Sequence, residues 1–142
     1  MSPDYNAWVD ARLVVHLREI ERPPKVEEVL AHLAIAGETW LARLAGEPPP
    51  ARLVLWPELP FEEAAARLAA VDARLGAPRD RAARVRYRNS SGEPFEDSVG
   101  EILDHALNHA TYHRGEIAGL LLAAGLEPPL TDYIVYVRSR GI

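Results

Sequence analysis

The stretch Ser98-Val99-Gly100-Glu101-Ile102-Leu103-Asp104-His105-Ala106-Leu107-Asn108-His109-Ala110-Thr111-Tyr112-His113-Arg114-Gly115-Glu116-Ile117 decides how this chain folds. Its first four residues fit a capping box, in which the serine hydroxyl accepts from the third backbone amide and the glutamate reaches back. A helix therefore begins near Val99 and runs to about Ala124, where Gly125 suits a left-handed terminator and Pro128-Pro129 bar continuation. With Ile102 at zero and about 100° per residue, Ile102, Leu103, Ala106, Ala110, Ile117 and Leu121 fill a sector from about 0° to about 100°. His113 falls inside that sector at about 20°, His109 on its margin at about −20°, and His105 outside it at about −60°, beside Glu101 and Glu116.

One apolar stripe on so long a helix requires partner helices, and the sequence upstream supplies them. Ser2-Pro3-Asp4 offers a cap and a proline suited to a first turn, and Tyr5, Val9, Leu13, Leu17 and Ile20 form a stripe that ends at Pro23-Pro24. A second stripe follows in Val26, Val29, Leu30, Leu33, Gly37, Trp40, Leu41 and Leu44, stopped by Gly46 and Pro48-Pro49-Pro50. Residues 47–60 hold five prolines and little periodicity, which predicts a semi-rigid crossover with Leu53, Leu55 and Trp56 over the core edge. Pro60 opens a third, alanine-rich helix through Phe61, Ala64, Ala65, Leu68, Val71 and Leu75, ended by Gly76 and Pro78. Val85 and Tyr87 alternate with Arg84, Arg86 and Arg88 before the turn residues Asn89-Ser90-Ser91-Gly92, so a hairpin over residues 84–96 is expected, its arginines on a solvated face. Thr131 is placed to cap a short last helix, Asp132 to Arg138. The expected architecture is all-α: a four-helix bundle with a long crossover and a short β-hairpin before the fourth helix, in one domain over residues 1–142.

Composition narrows the chemistry. Sixteen basic against 21 acidic side chains give a formal charge of −5, which argues against nucleic acid as a partner because phosphate affinity needs concentrated positive charge. The chain has no cysteine, so any metal site must draw on His, Asp, Glu or water. The start, MSPDYNAWVDAR, has neither a basic cluster nor an apolar run, and Ile117 to Leu126 falls far short of the roughly 20 residues that span a bilayer. The expectation is a cytoplasmic protein without a membrane partner.

Histidine placement then carries the functional reading. Residues four apart on one helix face lie about 6 Å apart along the axis, so His109 and His113 can reach one ion, whereas His105 and His113 are about 12 Å apart. Two imidazoles on an apolar stripe need partners, and a metal satisfies both at once. A further ligand must come from another helix. His16 lies within the first stripe and His32 on the flank of the second; periodicity slightly favours His16.

The motifs Tyr5-Asn6-Ala7-Trp8, Leu30-Ala31-His32-Leu33, Trp40-Leu41-Ala42-Arg43-Leu44, Tyr87 through Gly92, His105 through Gly115 and Thr131-Asp132-Tyr133 together resemble the DinB-like family of metal-binding four-helix bundles. That family is related to bacillithiol transferases and mycothiol-dependent isomerases, and the resemblance covers nearly the whole chain. It implies a metal held by one histidine of the second helix and two of the fourth, here His32, His109 and His113, which reverses the preference for His16. It further implies one divalent ion (zinc, nickel or iron), a homodimer, and a small-molecule substrate. The activity it suggests is thiol S-transfer with a low-molecular-weight thiol as co-substrate; a metal-dependent hydrolase and a non-catalytic metal-binding stress protein are the rivals. Glu116 departs from the glutamine that many members carry there. No catalytic residue is assigned.

Overall fold

Caps and helix-breaking residues set the helix ends in the computed structural model, which describes residues 2–48, 50 and 52–141. The Ser2 hydroxyl accepts from the Tyr5 amide at 3.3 Å and starts α1 (Pro3–Arg18). This helix stops two residues before the end of its stripe, so Ile20 packs on the core from the turn beyond it. Pro24 opens α2 (Pro24–Leu44), and Phe61 starts α3 (Phe61–Leu75) directly after Pro60. The capping box predicted at Ser98 is formed: its hydroxyl accepts from the Glu101 amide at 3.1 Å while Glu101 accepts from the Ser98 amide at 2.8 Å. It begins α4 (Val99–Ala123), which ends before Gly125 at φ +75, a left-handed conformation that favours glycine. Among the described residues the crossover forms no helix or strand, and Pro49 and Ala51 lie outside them.

Two local expectations are corrected. The hairpin pairs β1 (Arg84–Arg88) with β2 (Pro94–Ser98), so it ends two residues past the expected end at residue 96. Its second strand is held by charge: Glu96 accepts from Arg86 at 2.6 Å and Asp97 accepts from the Tyr87 hydroxyl at 2.6 Å. The last helix, α5 (Tyr133–Ser139), lacks a side-chain cap; Thr131 instead offers its carbonyl to the Tyr5 hydroxyl at 2.6 Å, tying α5 to α1.

Helix α2 is central, packed against α3 on one side and α4 on the other. Leu17, Val26, Val29, Leu30, Ile117 and Leu121 are fully enclosed in the main core. The approach of α2 to α3 is close enough that a Cβ on Gly37 would overlap the Val71 side chain, so any larger residue there would force Val71 to shift. No helix among the described residues is long and apolar enough to cross a membrane.

A polar cluster runs through this apolar interior. Arg114 of α4, 5% exposed, donates to Asp10 at 2.9 Å and to Asn6 at 2.8 Å on α1. Asn6 in turn donates to Asp72 of α3 at 2.6 Å. Two carboxyls and one guanidinium leave one negative charge in excess, and the proton goes to Asp72. Burial and then the neighbouring Asp10 push the Asp72 pKa up to about 8, and burial also raises that of Asp10 against the pull of Arg114.

Removing one partner of a buried pair strands the other, so Arg114→Met should lower the unfolding free energy by about 3–5 kcal/mol in urea titrations. Asp72→Asn isolates the shared proton. The folded Asp72 holds it between the unfolded value of 3.8 and about 8, so its contribution to stability is present below 3.8 and lost as pH rises to 8. Measured from pH 5 to 9, wild type should lose more than about 1 kcal/mol relative to Asp72→Asn; parallel curves would refute the protonated assignment.

Candidate metal centre

Helix α2 delivers His32 to the side of the bundle where it packs on α4, and the crossover closes over it. The Trp56 ring stacks on the His32 ring with centroids 3.9 Å apart and 6° between planes. The Leu55 carbonyl lies 2.7 Å from His32 Nδ1 and accepts its proton. On α4, His113 Nδ1 lies 2.8 Å from Glu116 Oε2, one turn along the same helix. With Nδ1 protonated on both rings, both Nε2 lone pairs are free, and both turn toward His109. His109 Nε2 stands 3.4 Å from His32 Nε2 and 3.1 Å from His113 Nε2.

These three nitrogens cannot satisfy one another. His109 Nε2 carries at most one proton and can donate it to one neighbour only, leaving lone pairs facing each other in a largely enclosed space. A cation resolves the arrangement. Nitrogens bound to one ion at roughly 2.0–2.1 Å with tetrahedral angles stand about 3.3 Å apart, and the two measured separations bracket that value. The three ligand atoms all lie within 4.8 Å of one another.

At His32 and His109 the electrostatics favour the neutral ring, the form that binds metal. Burial first, then the facing His113 and His32, press the His109 pKa down to about 4. Burial likewise lowers that of His32, against the opposing pull of its bond to the Leu55 carbonyl. His32 and His113 are 5% and 7% exposed, and His109 is half-buried at the rim.

The structure brings together His32, His109 and His113 and leaves out the other two histidines. His105 is exposed, its ring 4.7 Å from that of Trp40 and 5.9 Å from that of His109. His16 lies half-buried on α1 beside Trp8, Ile20 and Pro129, its Nε2 without a partner among the described residues and outside the cluster. Three contributors escaped the sequence reading. The Leu55 carbonyl left no signal. Glu116 did, because it sits at i+3 from His113, and it meets that ring rather than only edging the site. Arg114 also left one, as a charge on the apolar face next to His113.

A model of the DinB family matches residues 8–141. The protein DinB of Bacillus subtilis (strain 168) is 24% identical over 161 aligned positions, which cover 94% of this chain and 90% of that protein. No solved structure matches. The family match reaches from within α1 to the end of α5 and includes all three clustered histidines, and on that extent the chain belongs to the DinB family.

Proposed function

We propose that this protein binds one divalent metal ion, zinc, nickel or iron, through Nε2 of His32, His109 and His113, and uses it in thiol S-transfer. The observation that carries the reading is the convergence of three imidazole nitrogens within 4.8 Å of one another, with His109 Nε2 at 3.4 and 3.1 Å from the other two, whose far nitrogens are already bonded. Three protein ligands leave a coordination position for substrate, and an ion held this way supplies Lewis acidity that favours ionisation of a thiol or water. Leu55 and Glu116 fix the ring orientations, and Trp56 excludes water from one face of His32. No cysteine is present, so the sulfur belongs to a low-molecular-weight co-substrate. Assembly as a homodimer is part of the same proposal, checked by light scattering at twice the 15.7 kDa chain mass.

Elemental analysis of protein purified without an affinity tag should give one metal per chain. His32→Ala, His109→Ala or His113→Ala should each abolish stoichiometric binding in titrations of chelator-stripped protein, whereas His105→Ala and His16→Ala should keep it near one. Loss in His16→Ala with retention in His32→Ala would overturn the ligand set. Glu116→Gln keeps an acceptor but removes the charge behind His113, and metal affinity should fall by about tenfold with stoichiometry unchanged.

The reaction class needs a separate test. Metal-loaded protein given a panel of electrophiles, with and without cysteine, bacillithiol or mycothiol, should turn over only when a thiol is present. Turnover without thiol would replace transfer by hydrolysis, and no turnover would leave a binding protein.

A further inference from the structure

Alongside α2, the crossover and the hairpin turn border an open cavity of about 470 Å³. None of the three clustered histidines lines it, so a ligand held there would be independent of the metal reading. The volume falls within the range of roughly 300–1,000 Å³ typical of small-molecule sites. Ile35, Leu53 and Tyr87 give it an apolar wall, and three arginines, Arg43, Arg52 and Arg88, reach it from α2, the crossover and β1.

The state of those guanidiniums is the informative feature. Seven arginines elsewhere, Arg18, Arg22, Arg67, Arg81, Arg84, Arg86 and Arg114, meet carboxylates. The three at the cavity meet none among the described residues. Arg43 lies over the rings of Trp40 and Tyr87, 4.4 and 5.3 Å from their centroids, and burial presses its pKa down. Arg88 donates only to the Gly92 carbonyl, at 2.7 Å, and Arg52 makes no hydrogen bond or ion pair among the described residues. Two carboxylates share the wall. Glu38 is committed to Arg67 through bonds of 2.8 and 2.6 Å, which leaves Glu47 as the single opposing charge. A chain of net charge −5 has thus gathered three unpaired cations around one apolar hollow. Guanidinium forks match carboxylate and phosphate oxygens, and a partly desolvated one gains most from such a partner.

We propose that this cavity is a second small-molecule site, built for an anion with an apolar body bearing carboxylate or phosphate groups. The apolar wall takes the body, and Arg43, Arg52 and Arg88 take the charge from three directions.

Calorimetric titration of metal-free protein with phenyl phosphate and with phenylsuccinate, at fixed ionic strength and with benzyl alcohol as the neutral control, tests this. At least one anion should saturate at one per chain while benzyl alcohol does not, and the preference between them identifies the charged group. Arg52→Gln/Arg88→Gln should bind at least tenfold more weakly with an unchanged unfolding midpoint, since both side chains are exposed. If the double variant fails to fold, Arg52→Gln alone should weaken binding at least threefold. Loading with zinc should leave the affinity within twofold. The proposal is overturned by absence of saturation for both anions, by equal affinity in wild type and variants, or by binding that requires the metal.

Discussion

The buried contact of Arg114 with Asp10 and Asn6 sets the rotation of α4, and the candidate metal centre depends on that rotation. Consecutive residues on a helix project about 100° apart, so His113 can face α2 only if Arg114 faces α1. A guanidinium held at 2.8 and 2.9 Å by two side chains of α1 tolerates little turning. Stranding a buried charge costs several kcal/mol, a large fraction of the roughly 5–15 kcal/mol that holds a domain folded. A hydrophobic face would let α4 slip by tens of degrees at small cost. The buried charge does not, and it also reaches α3, because Asn6 links Asp10 to Asp72.

The same accounting of polar groups governs the three imidazoles. Every ring nitrogen turned away from the centre on His32 and His113 has an acceptor, and the nitrogens turned inward have too few protons to bond to one another. Protonation is the alternative way to relieve facing lone pairs, but burial and mutual repulsion oppose it at His32 and, most strongly, at His109. Such a cluster is suited to a cation that brings more than one unit of charge and accepts all three nitrogens together.

Much of this was legible in the residues. The capping box at Ser98, the glycine and proline stops and the four apolar stripes located the helices because each acts within a few residues of chain. The pairing of His109 with His113 was legible for the same reason. Long-range placement was not. Periodicity put His16 on an apolar face, which is where it lies, but a face does not reveal its neighbour, and His16 looks toward Ile20 and Pro129 rather than α4. It put His32 on a flank, because the Trp56 ring that buries it comes from the crossover, whose path no repeat encodes. Strand β2 was expected to end at residue 96 because Asp97 gives no strand signal until its partner on β1, Tyr87, is known. The family resemblance supplied His32 where periodicity did not, and the geometry brings that residue to the other two.

Glu116 gives the candidate centre a character that the three imidazoles alone would lack. A carboxylate 2.8 Å from His113 Nδ1 draws the ring proton toward itself and makes Nε2 the more basic donor, whereas the Leu55 carbonyl behind His32 does so only as a dipole. The two rings would therefore present unequal donors to an ion that they shared. The ligand on α4 is the stronger, backed by the only anion among the described residues that bonds to any of the three rings. Glutamine at 116 would preserve the hydrogen bond and equalise the donors. Under the proposed function, an ion held by these rings would have part of its charge offset by Glu116, which would hold it more firmly while moderating its power to acidify a thiol. The residue after the His-Arg-Gly run would then shift the balance from acidity toward retention of the metal, without touching the ion itself.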